Sequence, residues 1–257
     1  MGALHEGHLS LVKKAKKENN VVTVSIFVNP IQFNDPEDLN KYPRDLDKDL
    51  KMLDSILEEK DFVFCPDRSE MYPAPVTKVF DFGPLEEVME GSSRPGHFNG
   101  VGIVVERLFR IIQPNRTYFG EKDFQQVAVI RKMVEIEKLD LEVISCPIIR
   151  EDDGLAMSSR NQLLEPAHRK NAGIINLAIN QSAKLAKNHS VVETVNILSE
   201  MINSKPGFEL EYMKFAEEKT LLAIDNWEES DSVRCFIAVK AGKVRLIDNI
   251  KVDLNYH

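Results

Sequence analysis

Two kinds of hydrophobic pattern alternate along residues 1–146. Continuous apolar runs predict strands at 21–28, 62–65, 116–119 and 141–146. Apolar positions that recur every three to four residues predict helices at 9–18, 43–57, 101–112 and 122–139. Strands that alternate with helices are typical of an α/β protein with a doubly wound parallel sheet and right-handed crossovers. Ligands of such sheets bind beyond the carboxyl ends of the strands.

The pattern changes after residue 149. A serine-bearing loop is followed by two longer helical segments and a hairpin, predicted at 166–188, 191–204 and 234–248. We therefore expect a first domain at 1–148 that carries the parallel sheet, and a smaller α+β domain at 149–257. The junction between two such domains is a natural position for a hinge and a cleft.

Composition and charge narrow the class of protein. Of the 257 residues, 43% are hydrophobic and 29% are charged, and the formal net charge is −8. This balance is unfavourable for a general nucleic-acid or membrane-surface binder, but it leaves room for a local basic pocket that holds a nucleotide. No apolar run reaches the length of a membrane helix, and the polar start of the chain does not resemble a signal peptide.

The three cysteines, Cys65, Cys146 and Cys235, lie far apart in apolar, strand-like runs. We expect buried, reduced thiols rather than disulfides or metal ligands. Reduced thiols indicate a cytoplasmic location.

The strongest functional pattern lies at the very start of the chain. Its eight residues are Met1, Gly2, Ala3, Leu4, His5, Glu6, Gly7 and His8. Glycine allows the backbone to approach a bulky ligand, and the helix that follows offers unpaired N–H groups and the positive end of its dipole. The segment therefore suits phosphate, and its two imidazoles can neutralise charge on a reacting phosphoryl group.

Two other interpretations of the histidine pair stay open on the residues alone. A zinc site is one, although the metalloprotease signature places its histidines four residues apart, whereas His5 and His8 are three apart across a glycine. A third ligand is also missing nearby. The other interpretation is a solvated pair near a chain terminus, without function.

Three more polar clusters follow predicted strands or the domain junction. They are Asn29-Pro30-Ile31-Gln32-Phe33, Gly120-Glu121-Lys122-Asp123 with Gln125 and Gln126, and Met157-Ser158-Ser159-Arg160. The first offers amides to a small polar substrate, the second offers a lysine to phosphate, and the third offers hydroxyls and a guanidinium to pyrophosphate oxygens. Taken singly, each is also an ordinary turn, helix start or surface loop.

In this order, the four clusters resemble the pantoate–β-alanine ligases (pantothenate synthetases). This family belongs to the HIGH-motif nucleotidyltransferase superfamily, which carries a histidine-glycine-histidine loop early and a serine-rich loop late. The resemblance covers essentially the whole chain and implies a Rossmann-like first domain. Further matching segments are Tyr42-Pro43-Arg44, Arg94-Pro95-Gly96-His97-Phe98 and Leu246-Ile247-Asp248-Asn249.

The resemblance implies a reaction in two steps. ATP adenylates pantoate and releases pyrophosphate, and the amine of β-alanine then attacks the pantoyl adenylate and releases AMP, which yields pantothenate. The implied small-molecule partners are pantoate, β-alanine and ATP. Mg²⁺ would be held mainly by the nucleotide phosphates, so we name no protein ligand for a metal. The family also implies a homodimer.

The resemblance assigns roles to individual residues. His5, His8 and Lys122 are the implied catalytic residues, with His8 as the proton donor toward the departing pyrophosphate. The implied ATP-binding residues are the first eight, with Gly120, Glu121, Lys122, Asp123, Ile149, Met157, Ser158, Ser159 and Arg160. The implied pantoate- and β-alanine-binding residues are Gln32, Gln126, Asn29 and Tyr42.

Four histidines lie outside these assignments. We expect a structural role in a loop for His97. For His168, His189 and His257, which lie in helical or terminal polar contexts, we expect exposed side chains.

The start of the chain departs from the family pattern. The family places a buried strand and a Pro-Thr pair before the methionine that is Met1 here, and the sequence has neither. We expect the chain to be less stable and less active than a version extended upstream, because neighbouring strand edges would be unpaired. Two alternatives therefore stay open: another nucleotidyltransferase of this superfamily, and a truncated, catalytically impaired nucleotide-binding protein.

Overall fold

The structure, a computed structural model, describes residues 2–254. Contacts between Cα atoms divide the chain into two units, Met1–Ile149 and Arg150–His257. Each unit is described by itself.

Parallel strand pairs form the framework of the first unit. Its strands are β1 (Thr23–Ser25), β2 (Phe62–Phe64), β3 (Arg116–Gly120) and β4 (Glu142–Cys146). β1 pairs with β2 and β3 pairs with β4, both in parallel, so the described strands form two sheets of two strands each. The predicted α/β class with parallel strands is confirmed. The apolar run at 21–28 forms a shorter strand than predicted, because pairing with β2 covers only residues 23–25.

Seven helices accompany these strands in the described part of the first unit. They are α1 (Glu6–Glu18), α2 (Pro36–Lys41), α3 (Leu46–Asp54), α4 (Arg68–Met71), α5 (Met89–Ser93), α6 (His97–Ile112) and α7 (Phe124–Ile136). Short 3-10 helices lie at Pro30–Gln32, Gly83–Glu86 and Glu121–Asp123. α2 was not predicted from the sequence. It forms for a local reason: the Asp35 side chain accepts a hydrogen bond from Glu37 N, and Pro36 occupies the first helical position.

Two apolar clusters hold the first unit together. The larger joins α6 to α7 through side chains that include Val101, Val105, Val129, Ile130 and Met133. The smaller packs α1 and α3 against β1 through Leu4, Leu9, Val12, Val24 and Leu53. The periodic apolar positions of the sequence therefore form the buried faces of α1, α6 and α7.

The second unit packs helices against an antiparallel sheet. Its helices are α8 (Pro166–Asn171), α9 (Ile174–Asn180), α10 (Ser182–Leu185) and α11 (Val191–Asn203), and a 3-10 helix lies at Ser159–Leu163. Its strands are β5 (Phe208–Glu217), β6 (Val233–Ala241) and β7 (Val244–Val252), in the order β5-β6-β7. Central β6 is buried along its length except at Lys240, so this sheet forms the core of the unit.

Close contacts at three glycines show where the second unit differs from the predictions. The helix predicted at 166–188 is interrupted near Gly173, where a Cβ would lie 2.5 Å from the Asp153 carbonyl oxygen. The His168 ring lies against Gly207 and Gly242, where a Cβ would approach it within 2.2 and 2.5 Å. The expectation of an exposed His168 is therefore wrong, since its side chain is only 17% exposed. His257 lies outside the described residues.

The cysteine prediction holds for two of the three residues. Cys146 and Cys235 are buried free thiols, whereas Cys65 is an exposed free thiol, so the expectation of burial is wrong there. The reason is local, because β2 ends at Phe64 and Cys65 lies beyond its last paired residue. Among the residues that the structure describes, no helix combines the length and the apolar character needed to cross a membrane.

Candidate active site

The two histidines of the opening segment lie at the start of α1. His5 is the N-cap residue, and its carbonyl accepts hydrogen bonds from the amides of His8 (2.8 Å) and Leu9 (3.1 Å). This first turn brings the imidazoles together, with ring centroids 4.1 Å apart and planes tilted by 44°. The structure thus forms a compact imidazole pair at the positive end of the α1 dipole.

A buried carboxylate anchors the turn before the histidines. Leu4 N donates a 2.6 Å hydrogen bond to Asp49 Oδ1 of α3, and Asp49 is only 1% exposed. Gly2 packs closely, since a Cβ there would lie 3.0 Å from the Val28 side chain, and Ala3 has a positive φ of 48°. Sequence reasoning missed Asp49, because its position in a charged helix resembles a solvated surface.

Burial keeps both imidazoles neutral in this structure. It lowers the pKa of His5 from 6.5 to about 4, and the nearby Lys122 charge adds to the effect. The pKa of His8 is also well below 6.5, first through burial and then through His5 and other positive charge, including Lys122. Within residues 2–254, Nδ1 of each ring is buried and has no hydrogen-bond partner. At neutral pH the pair therefore presents N–H donors rather than fixed positive charge.

Lys122 supplies the cation beside this pair. It lies in the 3-10 helix Glu121–Asp123, directly after Gly120 at the end of β3, and its side chain is 19% exposed. Its Nζ is 3.6 Å from Asp123 Oδ1, and its charge acts on both histidines. The opening histidine segment and the Gly120–Asp123 cluster are therefore neighbours in the structure.

The remaining residues of the opening segment differ in surroundings. Glu6 is the first residue of α1, and it forms an exposed ion pair with Lys13 at 3.3 Å. Gly7 occupies the same first turn. Met1 was predicted to bind ATP and lies outside the described residues.

The amide cluster after β1 has a defined internal arrangement. Asn29 is 3% exposed and caps the 3-10 helix that ends at Gln32, whose side chain is half-buried. The Tyr42 ring, after α2, packs edge-on against Phe33 with centroids 5.6 Å apart.

The two adjacent glutamines of α7 have different environments. Gln125 is buried, and its side chain bonds the carbonyls of Leu85 and Val88, both at 2.8 Å, and Glu90 N at 3.1 Å. It therefore holds neighbouring backbone and has no free amide for a ligand. Gln126 is half-buried in the same first turn, and its role in substrate binding stays a prediction.

The predicted serine loop belongs to the second unit. Ser158 caps the 3-10 helix Ser159–Leu163, and its Oγ accepts from Arg160 N at 3.3 Å. Ser159 is buried, whereas Met157 and Arg160 are half-buried. Ile149 is the last residue of the first unit and is half-buried. The prediction that this loop and Ile149 bind ATP stays a prediction.

An internal ion pair supports the serine loop. Arg150 bonds both carboxylate oxygens of Asp248, at 2.6 and 3.1 Å, and also donates to the carbonyl of Gly154. An antiparallel bridge between Arg150 and Ala156 closes the short segment before the loop. Arg150 is therefore engaged within its own unit.

A cavity of about 380 Å³ lies beside the histidine turn in the first unit. Its lining includes Gly2, Phe27, Arg44, Asp49 and Arg68, but neither His5 nor His8.

In the described part of the chain, no group of three or more His, Cys, Asp or Glu side chains is arranged so that it could hold a metal ion.

His97 holds the amide cluster from the other side. It is the first residue of α6 and is 7% exposed. Its Nδ1 lies 2.8 Å from the Gln32 carbonyl, and its Nε2 lies 3.1 Å from an Arg94 guanidinium nitrogen. Because guanidinium only donates, Nε2 accepts and Nδ1–H donates to Gln32. His97 thus holds the backbone of Gln32, a candidate binding residue.

We expect His97 to make the protein less stable in mild acid. Burial, with Arg94 adding to it, lowers its pKa from 6.5 to about 4. The unfolded chain therefore binds a proton below pH about 6.5, while the folded protein resists it until pH about 4. The free energy of unfolding should fall between these values, by about 2 kcal/mol at pH 5 for this residue. Urea unfolding at pH 7 and pH 5 measures the change.

The matched variant for this test is His97→Asn, whose amide can still donate to the Gln32 carbonyl but does not titrate. Other buried histidines also respond to acid, so the informative quantity is the difference between variant and wild type. The variant should lose less stability than the wild type between the two pH values. An equal loss in both would contradict the buried, neutral state of His97.

The first unit is an α/β structure with polar turns between parallel strands and helices, the positions at which such folds commonly bind ligands. The family model of pantoate–β-alanine ligase matches residues 1–251. Pantothenate synthetase of Bacteroides fragilis strain YCH46 is 51% identical over 251 residues, which cover 98% of this chain and 88% of the relative. That of Phocaeicola vulgatus is 52% identical over 252 residues, with coverage of 98% and 89%.

Solved structures agree with the sequence relatives. Pantothenate synthetase from Thermus thermophilus is similar with a TM-score of 0.92 and 42% identity, covering 98% of this chain and 91% of that one. The enzyme from Francisella tularensis, complexed with beta-gamma ATP and beta-alanine, has a TM-score of 0.81 and 39% identity, with coverage of 97% and 86%. The chain belongs to the pantoate–β-alanine ligase family, whose members are ligases of pantothenate biosynthesis.

Proposed function

We propose that this protein condenses (R)-pantoate with β-alanine to form pantothenate, using ATP and passing through a pantoyl adenylate. AMP and pyrophosphate are the other products. The observation that carries the proposal is the His5–His8 pair at the start of α1 beside Lys122, in a chain that the family model matches almost throughout.

In the first step, a carboxylate oxygen of pantoate attacks the α-phosphorus of ATP, and the bond to the pyrophosphate oxygen breaks. Negative charge gathers on the phosphate oxygens in the transition state, and fixed donors directed at them lower the barrier. The imidazole N–H groups, the first amides of α1 and the Lys122 ammonium are the donors this site offers. Anionic phosphates would also favour protonated imidazole, which supports His8 as proton donor to the departing pyrophosphate.

In the second step, the amine of β-alanine attacks the acyl carbon of the adenylate. The C–N bond forms, the bond between the acyl carbon and the AMP oxygen breaks, and AMP leaves. The amide cluster would hold the acid substrate throughout: Gln32 and Gln126 bind its hydroxyls and carboxylate, with Asn29 and Tyr42 on the same rim. A substrate fixed close to its reaction partner reacts far faster than one in solution.

The remaining assignments concern the nucleotide. Residues 1–8, Gly120, Glu121, Asp123 and Ile149 would line its pocket, and Met157, Ser158, Ser159 and Arg160 would bind its outer phosphates. Glu6 pairs with Lys13, and Asp123 lies near Lys122. We assign Mg²⁺ no protein ligand, and it would arrive with the phosphates. A homodimer and a cytoplasmic location complete the proposal.

Exchange of labelled pyrophosphate into ATP tests the first step. The exchange should require pantoate and proceed without β-alanine, because adenylation precedes amide formation. Addition of β-alanine should then produce pantothenate and AMP in equal amounts. Exchange that depends on a different acceptor, and not on pantoate, would assign the chain to another reaction of the nucleotidyltransferases. ATP binding without exchange would indicate a catalytically silent protein.

A further inference from the structure

Tyr72, which immediately follows α4, makes a hydrogen bond that the proposed mechanism does not use. We infer that Tyr72 is a positioning residue: through Asn29 it fixes which end of the Gln32 side-chain amide is offered to the acid substrate. The inference rests on the proposed function, in which Gln32 binds that substrate.

Two backbone partners identify which end of the Asn29 amide is the oxygen. Its Oδ1 lies 3.4 Å from Ile31 N, which can only donate, and its Nδ2 lies 3.1 Å from the Gly100 carbonyl, which can only accept. An inverted amide would place donor against donor and acceptor against acceptor. Asn29 therefore presents oxygen on one side and NH₂ on the other, and its near-complete burial makes a mismatch costly.

The Tyr72 hydroxyl reinforces this orientation. It lies 2.7 Å from Asn29 Oδ1, and since that atom is an acceptor, the hydroxyl donates. Burial raises the pKa of Tyr72 to about 12, so the phenol keeps its proton at neutral pH. Within the described residues, Asn29 Oδ1 accepts two hydrogen bonds. The one from the Tyr72 hydroxyl (2.7 Å) is much shorter than the one from Ile31 N (3.4 Å).

The orientation of Asn29 determines that of Gln32. Asn29 Nδ2 lies 3.1 Å from Gln32 Oε1, so that atom must accept, and the NH₂ group of Gln32 remains for a ligand. An NH₂ group binds oxygen acceptors such as carboxylate and hydroxyl, and it disfavours an ammonium group. The same amide therefore favours the carboxylate and hydroxyl groups of the hydroxy acid and disfavours the ammonium end of β-alanine.

The backbone of Gln32 is held separately. The Gln32 carbonyl accepts from His97 Nδ1–H, and Gly100 lets α6 approach so closely that a Cβ there would lie 2.8 Å from Gln32 Cα. Loss of the Tyr72 hydroxyl should therefore leave the residue in place and release only the orientation of its amide. This separation makes the inference testable with a single-atom change.

The decisive variant is Tyr72→Phe, which removes the hydroxyl and keeps the ring. We expect the KM for pantoate to rise about tenfold, the order of one hydrogen bond lost at a buried polar group. The KM for ATP and the kcat at saturating pantoate should change less than about twofold, since Tyr72 acts only through the Asn29–Gln32 pair. The matched control is Tyr118→Phe, because the Tyr118 hydroxyl bonds Asn19 and Glu18 instead; it should leave the KM for pantoate unchanged.

A double-mutant cycle with Gln32→Ala identifies the route of the effect. In the Gln32→Ala background, Tyr72→Phe should raise the KM for pantoate no further, because the group it orients is gone. An equal rise in both backgrounds, or no rise from Tyr72→Phe where Gln32→Ala alone raises the KM, would overturn the inference and leave the proposed function standing. If Gln32→Ala itself leaves the KM for pantoate unchanged, the assignment of Gln32 fails, and the inference fails with it.

Discussion

Replacement of His8 by alanine is expected to lower kcat about a hundredfold, the equivalent of roughly 3 kcal/mol of transition-state stabilisation. His8 lies at the start of α1 with its ring 4.1 Å from that of His5, where charge develops in the proposed adenylation step. The KM values should change little if the lost interaction forms mainly in the transition state. Steady-state measurement of pantothenate formation, with pyrophosphate exchange alongside it, tests the expectation.

Two variants interpret the result for His8. His189→Ala is the matched control, since His189 lies in the second unit with a half-exposed side chain and faces Glu193; it should leave kcat unchanged. His8→Gln keeps an N–H donor but cannot release a proton near neutral pH. Substantial activity in this variant would favour hydrogen bonding over proton donation. Unaltered turnover in His8→Ala would refute the catalytic assignment altogether.

The second large effect is expected at Gly100, where α6 crosses the 3-10 helix Pro30–Gln32. A Cβ at this position would lie 2.7 Å from the Ile31 carbonyl oxygen and 2.8 Å from Gln32 Cα. These are backbone atoms, which cannot rotate away, so Gly100→Ala should lower the free energy of unfolding by about 1–3 kcal/mol. It should also raise the KM for pantoate, because the clash displaces Gln32. Urea unfolding and steady-state kinetics measure the two effects.

Gly120→Ala is the control for the stability measurement. Gly120 has an ordinary backbone conformation, and apart from its chain neighbours no heavy atom of residues 2–254 lies within 4 Å of the position a Cβ would take. Its replacement should change the free energy of unfolding by less than about 0.5 kcal/mol. If Gly100→Ala were as stable as Gly120→Ala, the close approach of α6 would not be a real constraint.

Local patterns in the sequence were sufficient for the fold class and for most helices and strands. The periodic positions around Val101 and Ile130 became buried faces, and the apolar runs at 62–65 and 141–146 became paired strands. Three predictions from the sequence were wrong. The break near Gly173, the partial burial of His168 and the exposure of Cys65 all depend on which segment packs alongside. Hydrophobic periodicity contains no information about such neighbours.

The candidate site divides in the same way. The histidine pair and Lys122 could be proposed from sequence because their residue types and order are distinctive. Asp49 and Tyr72 could not, since neither lies in a recognisable motif. Each acts through one hydrogen bond to a residue more than 40 positions away, Leu4 for Asp49 and Asn29 for Tyr72. A single sequence does not indicate which distant residues will meet.

The anchoring of the histidine turn by Asp49 affects the order in which the parts of the candidate site form during folding. The turn precedes Asp49 in the chain, and its fixing contact, from Leu4 N to Asp49, spans 45 residues. Contacts of Asn29 with Tyr72 and of Gln32 with His97 span 43 and 65 residues. Closing loops of this length costs entropy before any contact is gained, which slows their formation. The candidate catalytic histidines, which precede their anchoring residue in the chain, should therefore be among the last groups to reach their final positions.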